Sequence, residues 1–78
     1  MPNVLRIGPY SFVFYVSDMN EPPHVHVKRD RREAKFWLDP IRLEWQRDYA
    51  KHELNVVRKL VVEHRDFLLG EWNAHFGE

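Results

Sequence analysis

From Tyr10 to Val16 the chain alternates, with Tyr10, Phe12, Phe14 and Val16 falling to one side and Ser11, Val13, Tyr15 and Ser17 to the other. A period of two that is rich in aromatic and β-branched side chains predicts a strand. Val4 to Ile7 predicts a shorter strand ahead of it, joined across Gly8-Pro9, where Gly accepts an unusual φ and Pro fixes one. Asp18 to Pro23 must be a loop, because the adjacent Pro22 and Pro23 lack the donors a sheet ladder needs.

A second alternating pair runs from His24 to Arg29 and from Glu33 to Leu38, around a turn at Asp30-Arg31 or Arg31-Arg32. Both turns keep the same parity. Val25, Val27, Ala34, Phe36 and Leu38 face one way, so His24, His26, Lys28, Glu33, Lys35 and Trp37 share the opposite face. After a turn at Asp39-Pro40, Ile41, Leu43 and Trp45 alternate with Arg42, Glu44 and Gln46 as a last strand.

Beyond Asp48, read as a helix N-cap, the period changes. Leu54, Val57, Val61, Leu68 and Trp72 recur at helical spacing, with Lys59, Glu63 and Asp66 on the wet side. The pattern runs towards Phe76 and ends at Gly77, either as one long helix or as two broken at His64-Arg65. The expected fold class is α+β: an antiparallel sheet of three to five strands in the N-terminal half, packed by one long or two short C-terminal helices. Helix on sheet covers the aliphatic face and leaves the His24/His26 face open to solvent.

Composition narrows this picture. A chain of 78 residues closes one core, so a single domain over residues 1–78 is expected. Its 44% apolar content is globular rather than disordered. A core this small benefits from added support, and with no cysteine neither disulfides nor thiolate metal sites can supply it, which leaves a partner surface. No apolar run approaches a bilayer span and no signal-peptide pattern opens the chain, so a cytoplasmic location without membrane contact is expected. Basic and acidic residues balance at twelve each, which argues against a broadly sticky nucleic-acid binder. The positive charge is nevertheless concentrated in Lys28, Arg29, Arg31, Arg32 and Lys35, offset by an acidic C-terminal half.

Two imidazoles at i, i+2 on a strand lie on one side, with Cα atoms about 6.5–7 Å apart, near enough to share one phosphate or one metal. A metal would need a third ligand, Glu21 or Glu33 being nearest, and His-x-His recurs often by chance, so neither metal nor cofactor is expected. Metal-free chemistry on RNA asks for a histidine to move protons and for cations to hold the phosphate. His24 and His26 as catalytic groups, Lys28, Arg29 and Lys35 as phosphate ligands, and Trp37 as a base-stacking surface supply that set. Against it stands a plain structural account, in which the histidines are polar residues on a wet face and the basic run protects a hairpin tip. Trp72 and Phe76 belong to the helix stripe, and His52, His64 and His75 look like ordinary helix residues.

The stretches MPNVLRIGPYSFVFY, NEPPHVHV, EAKFWLDP and EHRDFLLGEWNAHFG resemble the bacterial domain of unknown function 4160 over essentially the whole chain. Its signature corresponds here to Pro22, Pro23, His24, Val25, His26 and Val27, while Asp39-Pro40 departs from a glycine-containing turn often found there. The resemblance implies a short protein encoded beside a small partner, in an arrangement similar to type II toxin-antitoxin pairs. The chain has no helix-turn-helix pattern or long basic arm of its own, so the resemblance implies the toxin-like half of such a pair, beside an antitoxin with a DNA-binding helix-turn-helix, and the side-chain set above gives a metal-independent ribonuclease as its expected activity. The alternative is a non-enzymatic binding module that docks such a DNA-binding partner through the same sheet face, and a histidine-based metal sensor is a third reading.

Overall fold

Alternating stretches from the N-terminal half pair into an antiparallel sheet in a computed structural model that describes residues 3–15 and 20–77. The strands are β1 (Asn3–Ile7), β2 (Tyr10–Val13), β3 (His24–Arg29), β4 (Arg32–Leu38) and β5 (Ile41–Arg47), in spatial order β1-β2-β3-β4-β5. Two helices follow, α1 (Lys51–Glu63) and α2 (Arg65–Phe76), which gives the expected α+β class with all five strands present. Among the described residues no helix is long and apolar enough to cross a membrane.

Each junction follows from its residues. Gly8 takes φ +55° between β1 and β2, the left-handed region that favours glycine. Arg29 opposite Arg32 leaves Asp30-Arg31 as the two-residue turn, with Asp30 supplying the positive φ of 54°. The turn at Asp39-Pro40 carries a cis peptide bond. Hydrogen-bonded strand ends at Val13, although Phe14 continues the alternation into the core; Val16, Ser17 and the first part of the loop expected from Asp18 lie outside the described residues.

Asp48 is not the helix N-cap. It adopts φ 70°, and α1 starts three residues later behind an extended Ala50. Between them Tyr49 is buried, and its hydroxyl donates to the Val27 carbonyl at 3.0 Å, fixing the approach of the chain to α1. The helical stretch is two helices, parted at His64, whose φ −105° and ψ 17° leave helical geometry. Arg65 turns to the sheet there, donating from Nε to the Leu38 carbonyl at 2.9 Å and from Nη2 to Asp39 at 3.0 Å. Gly70 stays inside α2, and Gly77 caps its end.

Phe12, Val25, Val27, Phe36 and Leu38 of the sheet, with Phe14 just beyond β2, meet Val57 and Val61 of α1 and Leu68 and Trp72 of α2 in one core. Each fully buried large side chain contributes about 1.5–3 kcal/mol, which is how so short a chain offsets its ordering entropy.

Candidate functional site

Cross-strand neighbours in an antiparallel ladder point to the same side, so the register defines the second face of the sheet. Val13 lies opposite His26, His26 opposite Lys35, Lys28 opposite Glu33 and His24 opposite Trp37. From the other edge, Lys35 lies opposite Trp45 and Glu33 opposite Arg47. The predicted grouping of His24, His26, Lys28, Lys35 and Trp37 therefore exists.

The expectation that this face is open to water is wrong. His24 is 0% and His26 4% exposed, and Glu33 and Lys35 are buried beside them. The cover comes from large rings. Trp72, on α2, reaches the end of β3 and packs 4.9 Å from the His24 ring, while Tyr15 lies 4.3 Å and Trp45 5.8 Å from the His26 ring.

Burying four titratable groups is costly unless each is paired. His24 donates from Nδ1 to the Pro22 carbonyl at 2.9 Å, so the loop closing through the double proline orients this ring. His26 donates from Nδ1 to Glu33 Oε2 at 3.1 Å, and Tyr15 donates to the same oxygen at 3.0 Å. Glu33 Oε1 accepts from Arg47 at 3.1 Å. Lys35 donates to Glu21 at 2.6 Å and lies 4.7 Å over the Trp37 ring, while Lys28 sits 5.9 Å over Tyr15. Among the described residues no buried side-chain polar atom is left without a partner. Chemically this is a histidine-carboxylate pair with a phenol and three cations, Lys28, Lys35 and Arg47, around it. Nor, among the described residues, does any group of three or more His, Asp or Glu side chains converge so as to hold a metal ion.

Arg29 is not brought to this face. It shares the parity of Val25 and Val27, crosses to the helix side and donates to Glu53 of α1 at 2.6 Å. Tyr10 donates to the same oxygen at 2.9 Å, and Arg32 stands 3.6 Å from the other. Burial works against the Glu53 carboxylate, but the hydrogen bonds from Tyr10 and Arg29 and the charges of both arginines outweigh it and hold it below its ordinary 4.5. Burial, and then the bond to Glu53, push the Tyr10 phenol up, and burial does the same to Tyr49. A carboxyl depressed in the folded state stabilises above its unfolded value, and that contribution is lost as pH falls through the folded one. Glu53→Gln should therefore flatten the acid fall in melting temperature below about pH 4.5. A fall as steep as that of the native chain would mean that this carboxylate is not coupled to folding.

Strand parity puts Glu33 on the right face, where the sequence offers it only as a third metal ligand, and Tyr15 and Arg47 are absent from the predicted site. Tyr15 carried a usable signal, because its parity puts it with Val13. Arg47 depended on the β4–β5 register, which shifts at Lys35/Phe36 and could not be counted from the alternation.

A family model described as Domain of unknown function (DUF4160) matches residues 10–73. No curated protein matches the chain. No solved structure matches it either.

Proposed function

We propose that this chain, which belongs to the family described as domain of unknown function DUF4160, is the toxin component of a type II toxin-antitoxin module and cleaves RNA without a metal. The observation that carries the reading is the pairing of His26 with Glu33 at 3.1 Å on a sheet face that also holds His24, Lys28, Lys35, Trp37 and Arg47. RNA can cleave itself when its 2′-hydroxyl attacks the neighbouring phosphorus, provided that a base takes the hydroxyl proton and an acid protonates the departing 5′-oxygen. Glu33 holds the His26 ring through Nδ1 at 3.1 Å, which orients the imidazole for its part in proton transfer. His24, with its ring 5.3 Å from that of His26, is the second imidazole of the pair. Lys28, Lys35 and Arg47 offset the charge that builds on the phosphate oxygens, and Trp37 stacks on a base.

Access sets a condition on this chemistry. Substrate meets His26 once the rings packed on it, Tyr15 and Trp45, turn aside. An antitoxin carrying a helix-turn-helix would bind the same face in the cytoplasm and hold them closed. The test is incubation of the purified protein with RNA in the presence of a chelator, alongside induced expression in cells. Cleavage and growth arrest are expected from the native chain, and a loss of roughly a hundredfold or more in rate from a folded His26→Ala variant. If the folded native chain neither cleaves RNA nor arrests growth, the reading fails.

The burial of both histidines favours a second reading. Here the ionic network only braces the sheet, and Trp37 and Trp45 dock a DNA-binding partner without chemistry. Loss of a co-purifying partner with Trp45→Ala, but not with His26→Ala, supports it.

A further inference from the structure

On the helix side of the sheet, away from the histidines, the β3–β4 hairpin and the start of α1 enclose an open cleft of about 350 Å³. Tyr10, Arg29, Arg32, His52, Glu53 and Val56 line it. We propose that this cleft binds a phosphate group, and that Glu53 occupies the anion position until the phosphate displaces it.

Three observations carry the inference. The first is charge, since two guanidinium groups face one carboxylate and a positive excess remains with Glu53 in place. The second is unused donor capacity. Arg29 approaches one Glu53 oxygen at 2.6 Å, but Arg32 stays 3.6 Å from the other, beyond a good hydrogen bond, and both arginine side chains are more than a third exposed. Each guanidinium has five N–H donors in a planar fork suited to phosphate oxygens. The third is preorganisation. The Arg29 guanidinium lies 5.8 Å over the Tyr10 ring while the Tyr10 hydroxyl marks the place of an anionic oxygen, so an incoming phosphate finds a donor set already assembled. The volume lies in the range that accepts a small phosphorylated molecule. An ordinary surface ion pair accounts for the contacts but not for the concavity or the charge excess.

The source of the phosphate is either a terminal phosphomonoester or the backbone of RNA, and separate probes tell them apart. Inorganic phosphate, adenosine monophosphate and an oligoribonucleotide without terminal phosphate would be titrated calorimetrically at low salt into the native chain, Glu53→Gln and Arg32→Gln. Saturable binding is expected to tighten about tenfold in Glu53→Gln, where the competing charge is gone, and to weaken about tenfold in Arg32→Gln. Arg32 makes the longer of the two arginine contacts, so its replacement leaves the Arg29 pair to support the fold. The tighter of the two organic probes names the source. Absence of saturable binding to Glu53→Gln, or binding that Arg32→Gln leaves unchanged, would overturn the proposal. Neither outcome depends on the chemistry proposed for the histidines, because the cleft opens on the opposite side of the sheet.

Discussion

Trp72→Ala should cost about 3–5 kcal/mol of folding stability, the loss typical of truncating a large buried aromatic side chain. The indole sits where α2, the core and the histidine face meet. Its ring lies 5.2 Å from Phe14 in an edge arrangement, 4.4 Å from Phe76 and 4.9 Å from His24. One side chain thus joins α2 to the core and also closes the end of the face that carries the histidines. At roughly 0.05–0.15 kcal/mol per residue, a chain of this length holds about 4–12 kcal/mol in total, so the variant would lose at least about a quarter of it. Urea unfolding followed by circular dichroism measures the loss, with Phe67→Ala as the reference. Phe67 is exposed on the same helix, and its truncation should change stability by no more than about 0.5 kcal/mol. A Trp72 variant within about 1 kcal/mol of the native chain would mean that the ring is not the clamp its contacts imply.

Trp72 also shows how far alternation and periodicity carry a reading of this chain. Strand faces follow from parity alone, so the company of His24, His26, Lys28, Glu33, Lys35 and Trp37 was legible before any coordinates. So was the helix stripe from Val57 to Trp72. Burial of the histidine face was not legible, because parity says which side chains share a side and nothing about what covers them. The cover is long-range: an indole from α2, Trp45 from the far strand, and Tyr15 from just beyond β2. Arg29 failed for the opposite reason. Parity placed it with Val27 on the helix side, and its membership of a basic run drew it into the wrong group. Asp48 has the side chain of an N-cap, but a positive φ and the anchoring of Tyr49 put the helix start further on.

The buried pair itself distinguishes a working site from a brace. Glu33→Ala removes the shared acceptor of His26 and Tyr15 from a nearly dry setting, and breaking a buried pair from one side costs about 3–5 kcal/mol. Arg47, mostly exposed, adds little to that figure, since a solvated guanidinium loses only a screened contact. Glu33→Gln keeps an acceptor oxygen and should lose less, about 1–2 kcal/mol. Replacing both members, as His26→Leu/Glu33→Leu, removes the two paired groups together, so that Tyr15 loses only its bond to Glu33, and should return the stability to within about 1–2 kcal/mol of the native chain. Denaturant unfolding of the native chain, His26→Leu, Glu33→Leu and the double variant gives the coupling energy, and if the double variant is as unstable as the sum of the two single ones the two groups do not act as a pair. With that fold in hand, the chemistry can be read without the confusion of unfolding. A stable double variant that no longer cleaves RNA assigns the pair to catalysis, because its bracing role has been replaced by apolar packing. One that retains every activity of the native chain leaves Glu33 and His26 as architecture and moves the search for function to the indoles at the sheet edge.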